Sequence, residues 1–318
     1  MIVTKKTFVP QMKQYIRPEF LREGDTVAVV AMASSLSEKS RQTLYWKQML
    51  ESWGLRVKLG RHLYDSEPGE FAGRDQDRAA DIARMLLDPQ VKALISFRGG
   101  YGSMRTVRAL DTRLFAEHPK WLVGFSDITV FHALLQSLGI ESIHGAMPST
   151  LGPDSGGDAR VSEASLRKAL FGQIRSYRTA PHPFSQCGQA RGRLVGGNLS
   201  LIHSCLRTPW ENPLDEDSIL FIEDVDERMY NLDRMLLTLQ QGAFFERAKG
   251  IIVGQFTDTS GEEEWKRGVL DLVKEYMPAG KPVLFGFDAG HEHPNYSLYL
   301  GREVSLDVSP DGGYLKFI

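Results

Sequence analysis

The sequence predicts an α/β protein in which an N-terminal parallel sheet flanked by helices precedes a smaller C-terminal α/β domain with mixed or antiparallel strands. Three observations support this prediction. A length of 318 residues suits about two domains. Short apolar runs alternate with helical patterns, which is typical of βαβ units and parallel sheets. From Tyr296 onward, apolar and polar residues alternate between turn signals, which indicates antiparallel strands.

The first domain opens on a continuous apolar run at residues 26–31, of the kind that is buried on both faces of a parallel sheet. A helical stretch follows and ends at Gly54. The helix at 75–88 places its apolar residues on one face, and the helix at 127–138 is closed by Gly139. Further strands are predicted at residues 55–59, 91–97, 120–124 and 142–144.

Glycine and proline interrupt this alternation between about residues 151 and 190, where one short helix fits around residues 163–171. The sequence therefore predicts an N-terminal extension at 1–17, an N-terminal domain at 18–150, a linker at 151–190 and a C-terminal domain at 191–318. The C-terminal domain is predicted to contain strands at 194–195, 218–222, 250–254 and 282–285, and helices at 229–241 and 262–276.

The composition argues against several classes of protein. Lys plus Arg number 38 and Asp plus Glu number 40, so the chain lacks long-range attraction for nucleic acid or an anionic membrane. Cys187 and Cys205 cannot form a zinc site by themselves, and the low cysteine count favours a reducing compartment. The N-terminus lacks the apolar stretch of a signal peptide, and the run at 27–33 is too short to span a bilayer. We expect a cytoplasmic protein.

Ser126 stands where a predicted strand turns sharply into a helix, within residues 123–127, Val-Gly-Phe-Ser-Asp. A serine there is exposed at the carboxyl end of the sheet, where open α/β folds bind ligands. The N–H groups of the first helical turn would stabilise an oxyanion. This arrangement is that of a nucleophile elbow, although the sequence does not match the G-x-S-x-G motif. The alternative is that Ser126 only caps the helix.

A glycine-rich turn at residues 97–102, Phe-Arg-Gly-Gly-Tyr-Gly, leads from a strand into a helix. Its glycines allow positive φ and a close approach of backbone N–H groups to a ligand. The turn could cradle a phosphate, although it matches neither a Walker A motif nor G-x-G-x-x-G. It could instead supply the second N–H of an oxyanion hole, or be a tight turn alone.

Two further segments carry groups suited to acid–base chemistry. Residues 222–227, Ile-Glu-Asp-Val-Asp-Glu, follow a buried strand; most of these carboxylates suit the dipole of the next helix, and one at the strand end could orient a histidine. His291 lies in a loop after a strand, the usual place for a general base. His291 and His293 could instead bind a metal, but a loop offers no helical face to align them. Ser126, a glutamate of this run and His291 can form a Ser–His–Glu triad.

In combination these motifs resemble the LD-carboxypeptidase family, the S66 serine peptidases. The resemblance depends on five segments in the family's order and rough spacing, at residues 98–102, 124–129, 196–199, 222–224 and 290–291. Residues 21–26 and 71–78 also resemble the family, so the similarity covers about residues 18–310.

The resemblance implies roles for five residues. Ser126 would be the nucleophile, His291 the base, and Glu223 the residue that orients His291. The backbone N–H groups of Gly100 and Asp127 would form the oxyanion hole. The site would then lie in the cleft between the two domains.

Members of this family cut the amide bond between an L-centre and a D-amino acid, releasing terminal D-Ala from the murein tetrapeptide in cell-wall recycling. The resemblance therefore implies a small muropeptide substrate, no metal or organic cofactor, a cytoplasmic location and a homodimer, with no nucleic-acid or membrane partner. A side branch hydrolyses peptide–nucleotide antibiotics of the microcin C type, which is one alternative. A non-catalytic peptide-binding protein of the same fold is the other.

The sequence departs from the family pattern in three places. Residues 31–35 read Ala-Met-Ala-Ser-Ser where an Ala-Pro-Ser-Ser-like end to the first strand is common, Phe125 stands where Tyr is frequent, and about 17 residues before Pro18 are extra. No departure removes a member of the expected triad. Strand-end loops shape the pocket, however, so the departures bear on the substrate.

Overall fold

The computed structural model describes residues 15–35, 41–152 and 155–318. Residues 1–14 of the predicted extension and Pro153 of the predicted linker lie outside the described residues. The strands in these ranges are β1 (Thr26–Val30), β2 (Arg56–Leu59), β3 (Val91–Ser96), β4 (Trp121–Gly124), β5 (Ser142–His144), β6 (Ser176–Thr179), β7 (Gly188–Asn198), β8 (Ser218–Val225), β9 (Gly250–Thr257), β10 (Val283–Leu284), β11 (Leu298–Leu300), β12 (Glu303–Ser309) and β13 (Gly312–Phe317). The α-helices are α1 (Arg41–Ser52), α2 (Asp75–Leu87), α3 (Ser103–Ala109), α4 (Arg113–Glu117), α5 (Thr129–Ser137), α6 (Gly157–Leu170), α7 (Leu199–Ser204), α8 (Met229–Gln241), α9 (Phe244–Arg247), α10 (Glu262–Trp265) and α11 (Val269–Glu275).

The first sheet has the strand order β11-β5-β4-β3-β1-β2. Strands β1 to β5 are parallel, and the edge strand β11 is antiparallel to β5. Alternate residues of β1 share one core with Trp46 of α1 and another with Ile82 of α2, so β1 is buried on both faces. This double burial explains its continuous apolar run. The strand order reverses between β1 and β3, which places a topological switch point at their carboxyl ends.

The second sheet has the order β10-β9-β8-β7-β12-β13-β6. Strands β7 to β10 are parallel, whereas β12, β13 and β6 are antiparallel to their neighbours. Along β12, Val304, Leu306 and Val308 are buried while the residues between them are partly exposed, as the alternating sequence indicates. A parallel sheet followed by a mixed sheet confirms the predicted fold class.

Two edge strands lie outside the sequence range of the predicted domain whose sheet they join. Strand β6, in the predicted linker, forms an edge of the second sheet, and β11, late in the sequence, forms an edge of the first. Between β11 and β12 the chain passes from one sheet to the other at Arg302. The Arg302 Nε donates a hydrogen bond to Glu141 Oε2 at 2.9 Å, and both side chains are buried. This ion pair anchors the crossover to the start of β5.

We expect Glu141→Gln to lower the free energy of unfolding by about 3 kcal/mol, because it leaves the Arg302 guanidinium buried without a counter-charge. Glu303→Gln is the matched control, since the Glu303–Arg191 pair is exposed, and it should cost less than about 1 kcal/mol. Urea denaturation of both variants measures the difference. Equal destabilisation by the two substitutions would contradict this role for Glu141.

Several elements differ from their predicted bounds, and two of these differences have a clear physical reason. The predicted helix at 262–276 is divided into α10 and α11, because Lys266 adopts a φ of +52° and the Glu262 Oε1 accepts the N–H of Val269 at the start of α11. Strand β7 begins earlier than predicted, because its first half pairs with β12 and exposes alternate polar residues. Within the described ranges, no helix has the length and apolar character needed to cross a membrane.

Candidate active site

The carboxyl ends of strands from both sheets line one cleft of about 530 Å³. Its walls are the segments that follow β3, β4 and β5 in the first sheet, the ends of β7 and β8 in the second, and the loop that carries His291. Three of the predicted site residues, Gly100, Ser126 and His291, line this cleft. Glu223 and Asp127 are buried behind its wall.

Ser126 occupies the sharp turn between β4 and α5. Its φ is +63°, a conformation that is uncommon for residues other than glycine and that occurs often at active sites. Ser126 begins a single 3-10 turn whose N-cap position is Phe125, and no side-chain capping bond forms there or at the start of α5. The alternative that Ser126 only caps the helix is therefore wrong, and its hydroxyl lies at the cleft.

The glycine-rich turn packs directly against Ser126. A Cβ on Gly99 would lie 3.1 Å from the Ser126 Cβ, and a Cβ on Gly100, whose φ is +92°, would lie 2.5 Å from the Ser34 Oγ. In the described part of the chain, the N–H groups of Gly100 and Asp127 donate to no protein acceptor. These two donors beside a serine favour an oxyanion hole over a phosphate cradle.

His291 and Glu223 are brought together across 68 residues of sequence: the His291 Nδ1 donates to the Glu223 Oε2 at 2.8 Å. A carboxylate only accepts, so the proton lies on Nδ1 and Nε2 is the nitrogen left for proton transfer. Glu223 is fully buried at the end of β8. Gly290 makes this contact possible, because a Cβ there would lie 2.8 Å from the Gln255 Cβ and 3.3 Å from the Glu223 Oε2.

Phe125 connects the serine turn to the histidine loop. Its ring packs edge-on against the His291 imidazole, with 4.8 Å between the ring centroids. Phe125 directly precedes Ser126, so this contact places His291 beside the serine turn. The ring also occupies the position where tyrosine is frequent in the family, and its buried side chain shields the imidazole from solvent.

The environment of His291 sets the expected pH dependence. Burial would lower the pKa of His291, but the Glu223 carboxylate outweighs it, so the pKa lies above its ordinary value of 6.5. A general base works only when neutral, so activity is lost as the pH falls through this raised pKa. We expect kcat/KM, measured from about pH 5 to about pH 9, to rise with a midpoint above pH 6.5. A midpoint below that value would contradict the assignment of His291.

Asp224 has a structural role that the sequence analysis did not identify. Its Oδ1 accepts the Asn198 side-chain amide at 2.9 Å and its Oδ2 accepts the Ser200 N–H at 3.0 Å. Burial, followed by repulsion from Glu223, raises the pKa of Asp224 to about 7. Asp224 therefore caps α7, the helix that follows strand β7. From the sequence, most of the carboxylates at residues 222–227 were expected to interact instead with the helix that follows them.

His293 is held by two hydrogen bonds and does not join His291 in a ligand pair. Its Nε2 donates to the Thr150 carbonyl at 2.9 Å, so Nδ1 is the acceptor from the Ser162 hydroxyl at 2.7 Å. The Ser162 oxygen in turn accepts the Asn295 N–H at 2.8 Å. These bonds tie the His291 loop to α6 and to the cleft wall after β5.

The activity should not depend on a metal ion. Both nitrogens of His293 are engaged within the protein, and the described residues contain no cluster of three or more His, Cys, Asp or Glu side chains with ligand geometry. We expect unchanged turnover after exhaustive dialysis against a chelator. Loss of activity that added zinc restores would contradict this prediction.

Two cleft residues could not be assigned from the sequence. Asp226 is exposed at the end of β8 with a φ of +56°. The only sequence signal for this position was that aspartate tolerates positive φ better than most residues. Thr150 gave no signal, because its contact with His293 joins residues 143 positions apart. His132, which no sequence motif distinguishes, is buried behind the serine turn, where its Nε2 donates to the Gly124 carbonyl.

Comparisons with known proteins identify the class to which this fold and site belong. The model described as the LD-carboxypeptidase N-terminal domain matches residues 27–145, and the model of the C-terminal domain matches residues 191–306. The protein is a carboxypeptidase, a hydrolase of peptide bonds. The chain belongs to the LD-carboxypeptidase family, peptidase S66, which confirms the resemblance found in the sequence.

Similar proteins and solved structures agree with this membership. The chain is 38% identical over 300 residues to a probable murein peptide carboxypeptidase of Bacillus subtilis, with 92% of each chain covered. It is 29% identical to the murein tetrapeptide carboxypeptidase of Pseudomonas aeruginosa, over 88% of this chain and 92% of that protein. A muramoyltetrapeptide carboxypeptidase from Oxalobacter formigenes superposes with a TM-score of 0.79 at 25% identity, covering 92% and 98% of the two chains.

MccF in complex with glutamyl sulfamoyl guanosine superposes with a TM-score of 0.83, over 96% of this chain and 98% of that one. The sequence identity of 20% means that this similarity shows the fold alone.

Proposed function

We infer that this protein is a serine-type LD-carboxypeptidase that releases the terminal D-Ala of a murein tetrapeptide. The observation that carries the proposal is the 2.8 Å bond between Glu223 and His291, in a cleft that also exposes Ser126. The relatives named as murein peptide and murein tetrapeptide carboxypeptidases support the substrate class. A cytoplasmic location and a homodimer are part of the same proposal.

In the proposed reaction, Ser126 attacks the carbonyl carbon of the amide bond before D-Ala, while its hydroxyl proton passes to the Nε2 of His291. Glu223 stabilises the imidazolium that forms. The N–H groups of Gly100 and Asp127 bind the oxyanion of the tetrahedral intermediate. His291 then gives its proton to the departing D-Ala nitrogen, and an acyl-enzyme remains on Ser126. Water, deprotonated by His291, hydrolyses the ester and regenerates the serine.

An exposed carboxylate in the cleft supports a muropeptide that contains a diamino acid. Asp226 is exposed on the wall formed by the second sheet. Its carboxylate would attract the side-chain ammonium of a diamino acid. The similarity to MccF remains the reason to test the conjugate as the second candidate substrate.

Mass spectrometry of the tetrapeptide L-Ala-γ-D-Glu-diamino acid-D-Ala, incubated with the protein, tests the proposal. We expect the tripeptide and free D-Ala as products, and no cleavage of the same peptide ending in L-Ala. Hydrolysis of an aminoacyl sulfamoyl nucleoside without cleavage of the tetrapeptide would move the function to the microcin type. Cleavage of neither, together with no labelling by a serine-directed acylating probe, would indicate a binding protein.

A further inference from the structure

Arg98 is the one lysine or arginine side chain among the described residues that line the cleft. It follows β3 at the beginning of the glycine-rich turn, on the wall formed by the first sheet. The opposite wall, at the end of β8, carries Asp224 and Asp226. The cleft is therefore polarised, with a fixed positive charge on one side and the exposed Asp226 carboxylate on the other.

The Arg98 guanidinium differs from the buried arginines elsewhere in the molecule. Arg78 is paired with Asp75, and Arg302 is paired with Glu141. Arg98 donates from Nη1 to the Ser35 carbonyl at 3.3 Å, and within the described ranges no carboxylate forms an ion pair with it. A partly exposed guanidinium whose hydrogen bonds to the described residues leave most of its five donors free suits a planar, bidentate anion such as a carboxylate.

Arg98 also lies close enough to the serine turn to contact the leaving group of the reaction. Its chain neighbour Gly99 packs so tightly on Ser126 that an added Cβ would lie 3.1 Å from the Ser126 Cβ and 3.3 Å from Oγ. In a peptide that ends in D-Ala, one carbon atom separates the free carboxylate from the nitrogen of the bond that is cut. The group that binds this carboxylate must therefore lie no farther from the nucleophile than about the length of one amino-acid residue.

We propose that Arg98 binds the free carboxylate of the C-terminal residue of the substrate and so restricts the enzyme to the last bond of the peptide. This inference rests on the proposed function and adds the group that makes the enzyme an exopeptidase. Asp226 reinforces the choice, because its exposed carboxylate repels a substrate carboxylate from the opposite wall. Arg98 is a specificity-determining residue in this proposal and takes no part in proton transfer.

The test compares two substrates that differ only at the terminus, the D-Ala tetrapeptide and its D-alaninamide. We expect the parent enzyme to prefer the free acid strongly. In Arg98→Gln, kcat/KM for the acid should fall by roughly 100-fold, whereas the value for the amide should change by less than about threefold. Arg98→Lys, which keeps the charge without the planar fork, should restore part of the preference for the acid.

Arg113→Gln is the matched control, because Arg113 lies in α4, outside the cleft, and pairs with exposed Asp111. It should keep the parent's acid-to-amide ratio, and thermal unfolding should show that all three variants fold. If the parent prefers the acid and Arg98→Gln keeps that preference, the role of Arg98 is wrong while the proposed function stands. If the parent cleaves neither peptide, the proposed function fails and the role of Arg98 fails with it.

Discussion

Ser126→Ala is expected to reduce kcat/KM on the D-Ala tetrapeptide by at least roughly 10,000-fold, because the substitution removes the atom that attacks the peptide carbonyl. The fold should be unaffected. No capping hydrogen bond depends on the Ser126 hydroxyl, and alanine removes only that oxygen from the turn. Thermal unfolding of the variant should therefore match that of the parent, so that the loss of activity is separated from any loss of structure.

Ser137→Ala provides a control for the loss of a serine hydroxyl. Ser137 ends α5, the helix that follows the serine turn, and its Oγ donates to the Leu134 carbonyl at 2.7 Å, away from the cleft lining. This variant should keep the activity of the parent. Near-normal peptidase activity in Ser126→Ala would show that another residue is the nucleophile.

Glu223→Gln is expected to lower kcat/KM by roughly 1,000-fold or more, because the buried amide can no longer stabilise the imidazolium of His291 or fix its tautomer. The same substitution should move the acid limb of the pH profile to lower pH, since the Glu223 charge raises the pKa of His291. This shift is a signature that a general loss of packing would not produce.

Glu227→Gln is the matched control four residues later. Glu227 lies just before α8, and its Oε2 accepts a hydrogen bond from the Asn231 side chain at 3.1 Å. The substitution should lower kcat/KM by less than about twofold and stability by at most about 1 kcal/mol. Steady-state kinetics of both variants on one D-Ala-terminated peptide decide between the two carboxylates. The reverse ranking would assign the orienting role to Glu227.

The parts of the fold that sequence patterns predicted are those whose burial is uniform. Strands β1 and β4 and the first five residues of β8 are buried throughout, so nearly all of their residues are apolar and the pattern is clear. The positions of β6 at an edge of the second sheet and of β11 at an edge of the first could not be predicted, because strand partners depend on long-range packing that leaves no local period. The division between α10 and α11 could not be predicted, because the helical spacing of apolar residues continues across Lys266.

The residues of the candidate site also divide into those that the sequence could predict and those that it could not. Ser126 and the glycine-rich turn have local signals, since sharp turns at strand ends require particular residues. Asp224 illustrates the opposite case. A carboxylate near a helix suggests an electrostatic role at that helix, but the side chain reaches the helix after a neighbouring strand. The register between two strands decides which side chains meet at their ends. The register of β7 against β8 cannot be predicted from the sequence of either strand alone.

The crossing of β11 into the first sheet bears on when the protein becomes competent during synthesis. Ser126, the proposed nucleophile, is translated long before Leu298–Leu300, and the edge of its sheet stays open until these residues pair with β5. His291 precedes that strand by only a few residues. A nascent or prematurely terminated chain therefore carries a serine without its base and an unprotected strand edge. The same short stretch of chain, residues 291–300, therefore supplies the proposed base and completes the first sheet.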